Sequence, residues 1–101
     1  MEINVQFVKM QKGETLEAFA IKKLNKLVKR YDWIIKADVF YKIEKDPKRK
    51  GKICDIQLSM PGPRIFATSR EENFELATDN SIKDLDKQLK KRKADMRPHL
   101  K

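Results

Sequence analysis

The sequence predicts an α+β fold of order β-α-β-β-β-α, with both helices packed on one face of a four-stranded sheet. Three observations predict it. Apolar residues alternate with polar ones over four segments and recur every three or four residues over two others. Glycine or proline stands after the first strand and between the second and third and the third and fourth. The link between the first two strands is itself a helix, and such a crossover should lay the first strand parallel to a neighbour.

Residues 2–9 alternate, with Ile3, Val5 and Phe7 on one side and Asn4 and Gln6 on the other, and Gly13 ends the run. From about Thr15 to Tyr31 the period lengthens. Leu16, Ala20, Leu24, Leu27 and Tyr31 form one stripe, flanked by Ile21 and Val28. Glu14 and Glu17 in the first turn and Lys29 and Arg30 in the last complement the helix dipole. After Asp32 a long strand places Ile35, Ala37, Val39, Tyr41 and Ile43 on one face. The run Asp46-Pro47-Lys48-Arg49-Lys50-Gly51 is a polar loop. The next strand sets Cys54, Ile56, Leu58 and Met60 against Asp55, Gln57 and Ser59. Pro61-Gly62-Pro63 is a turn, and a short strand runs from Arg64 to about Thr68.

Ser69-Arg70-Glu71-Glu72 has the capping-box pattern, an acceptor side chain with Glu three residues on. A second helix is expected from about Glu72 to Ala94, burying Phe74, Ala77, Ile82, Leu85 and Leu89. Pro98 disfavours helix in the residue before it, so residues 95–101 are expected to be a flexible tail. No repeat or linker divides the chain, and residues 1–101 form one domain. Each helix has one apolar stripe and the sheet must bury its apolar face, which both helices on that one face accomplish.

The formal net charge is +9, from 24 Lys+Arg against 15 Asp+Glu. Charge of this size speaks to partners, and its placement to mechanism. On a helical wheel with Leu24 at zero, Lys29, Lys22, Lys26, Arg30 and Lys23 fall between about 140° and 260°, mostly opposite the stripe, with Phe19 among them. With Leu85 at zero, Lys90, Lys83, Lys87 and Lys91 fall between about 140° and 240°. Arg92, Lys93 and Arg97 extend the charge, while Asp84 and Asp86 flank it. One such face is ordinary solvation. Two on one layer make a positive surface suited to a phosphate backbone. The loop adds Lys45, Lys48, Arg49, Lys50 and Lys52, as either a charged hairpin tip or a further contact.

Catalytic chemistry finds no footing. The sequence has no glycine-rich phosphate loop and no spaced Cys/His set for zinc, so neither metal nor cofactor is expected. His99 lies in the tail. Cys54 points inward on a strand without an activating partner, and Asp38, Asp55 and Asp79 read as scattered surface or capping residues. Tyr31 and Trp33 read as residues at the core edge. A single cysteine suits a reducing compartment. With no signal peptide and no apolar run near the roughly 18 residues a spanning helix needs, the expectation is a soluble, cytoplasmic protein without a membrane partner.

The pieces Ile3-Asn4-Val5-Gln6-Phe7, Lys22-Lys23-Leu24-Asn25-Lys26-Leu27, Ile35-Lys36-Ala37-Asp38-Val39 and Asp84-Leu85-Asp86-Lys87-Gln88-Leu89-Lys90-Lys91-Arg92-Lys93, in this order and spacing, resemble the ribosome hibernation-promoting factors and the related ribosome-associated inhibitor A. The resemblance covers essentially the whole chain. It implies the same element order, a topology like that of double-stranded-RNA-binding domains, and binding in the channel between head and body of the small ribosomal subunit. There the family covers the tRNA A and P sites and part of the mRNA path. By resemblance, Lys22, Lys23, Lys26 and Lys29 of the first helix and Lys83, Lys87, Lys90, Lys91 and Lys93 of the second contact ribosomal RNA, and the wheels add Arg30 and Arg92. Glu75 and Thr78 depart from the family's aromatic and aliphatic residues, which touches packing there and not the basic faces. Ending at Lys101, the chain looks like the short type, without a dimerisation domain, and is expected to be monomeric off the ribosome.

The expected function is therefore translation inactivation by occlusion, with no small-molecule substrate. A general double-stranded-RNA-binding module shares the topology and the charge, and tight binding to an isolated duplex would mark it. An RNA-processing enzyme would need a constellation the sequence lacks. A protein-interaction regulator of transcription would show weak salt dependence.

Overall fold

Residues 1–95 are described by a computed structural model. The elements are β1 (Glu2–Phe7), α1 (Glu14–Arg30), β2 (Lys36–Ile43), β3 (Lys52–Ser59), β4 (Ile65–Glu71) and α2 (Phe74–Asp95). Their order matches the prediction. The expected tail lies outside the described residues except for Asp95, which continues α2.

The sheet order is β1-β2-β3-β4. β1 runs parallel to β2, from Glu2 beside Lys36 to Phe7 beside Tyr41. The other two pairs are antiparallel. Alternation decides which face is covered. Ala37, Val39 and Tyr41 stand opposite Leu58, Ile56 and Cys54, and all six are buried. They meet Ala20, Leu24 and Leu27 from α1 and Ala77, Leu85 and Leu89 from α2. α2 lies against β3 and β4, and α1 lies beside it, against α2 and β1.

Four details differ from the sequence reading. Ile35 and Ile43 are 58% and 54% exposed, because they sit at the two limits of β2, where the sheet outruns its helical cover. Ser69 caps nothing: β4 continues to Glu71, paired with Lys52, and the helix opens later. Asn73 takes the capping role, its Oδ1 accepting the Leu76 N–H at 2.7 Å, as suits a short polar acceptor before a first turn. α2 also buries two hydroxyls that an apolar count overlooks. Thr78 Oγ1 pairs with the Tyr41 hydroxyl at 2.6 Å and donates to the Phe74 carbonyl at 2.7 Å, while Ser81 Oγ donates to the Cys54 carbonyl at 2.8 Å. These bonds let polar groups enter the core without the desolvation penalty of an unpaired one.

The fourth correction concerns Asp55, which is buried rather than on the surface. It lies on the sheet face away from the helices, where its carboxylate receives Lys42 Nζ at 3.0 Å and the Thr68 hydroxyl. Asp38 on the same face accepts from Asn4. Cys54 is fully buried, and that burial pushes its thiol up to about 11. Tyr31 is buried and Trp33 half-buried at the core edge, in edge-to-face contact at 5.9 Å.

Leu85→Ala should lower the unfolding free energy by about 2–5 kcal/mol, because it opens a cavity between α2 and the sheet; urea denaturation monitored at Trp33 measures it. Cys54 should resist a thiol reagent at neutral pH in the native protein and react at once in denaturant, since only an exposed thiolate attacks.

Candidate nucleic-acid interface

β1 and β4 both run toward the β2–β3 hairpin, so the helices that follow them both run away from it. Their C-terminal halves therefore lie side by side, and those halves carry the lysines. Lys22, Lys26 and Lys29 on α1 are exposed, as are Lys83, Lys87, Lys90, Lys91 and Lys93 on α2. None of these eight takes part in an ion pair among the described residues. Lys29 and Arg30 on α1 and Arg92 and Lys93 on α2 occupy last turns, where the dipole's negative end holds them.

Lys93 Nζ lies 5.9 Å from the Tyr31 ring centroid, and the other three sequence-predicted residues are engaged inside the molecule by ion pairs or hydrogen bonds. Lys23 Nζ pairs with Asp79 at 3.3 Å and Arg30 Nη2 with Asp86 at 2.6 Å, both across the helix–helix seam. The Arg92 guanidinium donates to the Pro63 carbonyl at 2.8 Å and the Pro61 carbonyl at 3.4 Å, tying α2 to the β3–β4 turn. Lys23 and Arg92 are accordingly half-buried, whereas Arg30 keeps most of its surface. Lys23 also lies over the Phe19 ring, 5.3 Å from its centroid.

Sequence reasoning treated Asp86 as a charge beside the basic face and missed its role. Its second oxygen accepts the Tyr31 hydroxyl at 2.8 Å, so one carboxylate holds the last turn of α1 through two residues. Burial, followed by this carboxylate, holds the Tyr31 hydroxyl above its ordinary pKa. A signal was present in the sequence. Lys23 and Arg30 are seven residues apart on α1, as are Asp79 and Asp86 on α2, and residues seven apart share a helix face. Exposed pairs of this kind contribute little energy singly. They join α1 to α2 at two points along the seam.

Ala18, Ile21, Lys22, Asn25, Lys26 and Lys29 share one flank of α1, so that apolar surface from Ala18 and Ile21 runs beside three lysines. Elsewhere the loop is less uniform than the sequence suggested. Lys45, Lys48, Arg49 and Lys50 are exposed at the hairpin tip, but Lys52 belongs to β3 and lies 5.9 Å from the Phe74 ring centroid. Nothing in this arrangement supplies an activated nucleophile, and no group of three metal-binding side chains occurs among the described residues.

A mixed four-stranded sheet bearing two parallel helices with exposed lysine faces makes this a small basic α+β domain, and comparison with known proteins identifies the family. The model of the Sigma 54 modulation protein / S30EA ribosomal protein family matches residues 3–97, and the chain belongs to that family. It is 27% identical over 93 residues to a ribosome hibernation promoting factor of Pseudomonas putida, covering 92% of this chain and 87% of that protein. A ribosomal subunit interface protein from Coxiella burnetii superposes with a TM-score of 0.83 at 26% identity, over 93% of this chain and 99% of that one. The N-terminal domain of Protein Y from Thermus thermophilus shares the fold, with a TM-score of 0.75 at 20% identity over 90% and 98%.

Asp86→Ala should lower stability by roughly 1–2 kcal/mol, since the half-buried carboxylate serves both Arg30 and Tyr31. Asp84→Ala, on the exposed side of the same helix, should stay within about 0.5 kcal/mol of the parent. Parallel chemical denaturation of the two variants distinguishes the seam from general charge.

Proposed function

We propose that this chain is a ribosome hibernation factor that binds the small ribosomal subunit through its rRNA and inactivates translation by occupying the tRNA A and P sites and the mRNA path. The observation that carries the reading is the side-by-side alignment of two exposed lysine faces on parallel helices. Phosphate contacts of this kind position a protein without reading sequence. Specificity then comes from the shape of a structured RNA cleft. Membership of the family supports the ribosome as partner, and its relatives carry the names ribosome hibernation promoting factor and ribosomal subunit interface protein. A factor acting on ribosomes works in the cytoplasm, and no helix among the described residues is long and apolar enough to cross a membrane.

The contacts are assigned to Lys22, Lys26, Lys29, Lys83, Lys87, Lys90, Lys91 and Lys93, with Lys23, Arg30 and Arg92 holding the surface in shape and Arg30 adding a charge at its margin. The mechanism is steric: a folded wedge holds the space that tRNA requires, and no bond is made or broken.

Binding to small subunits should weaken steeply with salt, because each neutralised phosphate contributes roughly −0.7 to −0.9 to the log–log slope, and a total of at least about −4 is expected. Lys87→Glu combined with Lys91→Glu should abolish co-sedimentation while shifting stability by less than about 0.5 kcal/mol. A slope near zero, or undiminished sedimentation of the double variant, contradicts the assignment.

Occlusion also fixes stoichiometry. Titrated into a translation assay at fixed ribosome concentration, the protein should inhibit fully at about one equivalent. Excess tRNA with mRNA should displace it, and a high-salt wash should restore activity, since screening weakens exposed contacts. Full inhibition at a small fraction of one equivalent, or inhibition that survives the wash, would point to an enzyme.

A further inference from the structure

The β2–β3 hairpin tip is a basic element that the helical surface does not absorb. Lys45, Lys48, Arg49 and Lys50 are all exposed, and none enters an ion pair among the described residues. A tip that served only solubility would need no defined shape, yet this one is built. Both oxygens of Asp46 are turned onto the loop backbone, accepting the Lys48 N–H at 3.1 Å and the Lys50 N–H at 3.0 Å. The Asp46 carbonyl accepts the Arg49 N–H at 2.9 Å, and Arg49 takes the left-handed conformation with φ of 59°. At the base, the Gly51 carbonyl accepts the Glu44 N–H at 2.9 Å. A Cβ at Gly51 would stand 1.8 Å from the Glu44 carbonyl oxygen, so only glycine closes this hairpin. The one acid in the tip thus spends its hydrogen-bonding capacity on the turn, while the four cations point outward.

The tip is also remote from the helical lysines. The Lys52–Phe74 contact puts the start of α2 at the hairpin end, whereas Arg92 reaches the β3–β4 turn at the other. At 1.5 Å per residue, Lys87 lies roughly 20 Å along α2 from Phe74. Between the two basic regions stand acids: Glu14 and Glu17 in the first turn of α1, Glu75 in that of α2, and Glu71 and Glu72 just before it. The Debye length is about 8 Å at physiological ionic strength, so the tip adds little to the field over the helices.

We propose that the hairpin tip is a second, separate RNA-backbone contact, so that the protein grips phosphates at two points at opposite ends of the fold. The proposal rests on the ribosome-binding reading and adds a site to it. Phosphodiester is the ligand that the geometry favours, because four outward cations on one hydrogen-bonded turn match closely spaced single negative charges.

The test compares the parent chain with a Lys48→Glu/Arg49→Glu/Lys50→Glu variant and with Asp46→Ala, measuring affinity for purified small subunits and for protein-free small-subunit rRNA across a salt series. The triple variant should lose about tenfold or more in affinity for both, and its log–log slope should be shallower by roughly 2, as expected for three lost phosphate contacts. Asp46→Ala raises the net charge, so diffuse attraction predicts tighter binding, whereas a built tip predicts weaker binding with an unchanged thermal midpoint. Parent-like slopes in the triple variant, or tighter binding by Asp46→Ala, overturn the proposal. So does a loss confined to intact subunits, which would mark an acidic ribosomal protein as the partner. If the parent itself fails to bind subunits, the ribosome-binding reading falls. The tip is then decided on rRNA alone, where parent-like affinity and slope in the triple variant overturn it.

Discussion

The structure depends on a sheet that has a continuous apolar surface on one side only. Ala37, Val39, Tyr41, Cys54, Ile56 and Leu58 all face that side, and neither helix can bury its stripe anywhere else. Two helices sharing one face must lie next to each other, and each then turns its polar side outward in the same direction. Strand direction completes the constraint. Both helices follow strands that run toward the hairpin, so both return the same way and bring their lysine-rich C-terminal halves to one end. The basic surface is therefore a consequence of packing, although no lysine contributes to the core.

Charge is sorted by face as a result. On the open side of the sheet, cations have partners close by: Lys36 with Asp38, Lys42 with Asp55, and Arg70 with Glu44. On the helical side, eight lysines stand without an ion-pair partner among the described residues. Ion pairing on the open side satisfies a surface that faces water or a neutral neighbour. Unpaired lysines repel one another and gain only when counter-charge arrives, which is the behaviour expected of a nucleic-acid face.

The seam between the helices joins core and surface. Thr78 and Ser81 dock the first half of α2 on the sheet through directional bonds to Tyr41 and to the Cys54 backbone, and Leu85 and Leu89 seat the second half by close packing. Asp79 and Asp86 then reach across to Lys23, Arg30 and Tyr31. A hydroxyl or carboxylate in a fixed position restricts rotation in a way that apolar contact does not, so the outward lysines inherit a defined spacing. Thr78, a polar residue in the core, gains its place through the hydrogen bond to Tyr41.

The sequence by itself determined the element order, the covered face and the two basic stripes, because each is a matter of local period and charge; the helical crossover showed that the first strand is parallel to a neighbour, and the structure decided that this neighbour is β2. Family membership was legible for the same reason, in the order and spacing of short segments. Tertiary structure alone decided which cations remain available. Lys23, Arg30, Arg92 and Lys52 belong to the same wheels and loop as their neighbours, yet each meets a carboxylate, a carbonyl or a ring contributed by a distant part of the chain. It also decided that β4 continues through Ser69 and moves the cap to Asn73, since pairing with β3 outweighs a local capping pattern. Asp55 lies buried for a similar reason: Lys42 and Thr68 reach it across neighbouring strands. Period describes a residue's own element, whereas burial and pairing depend on what packs against it.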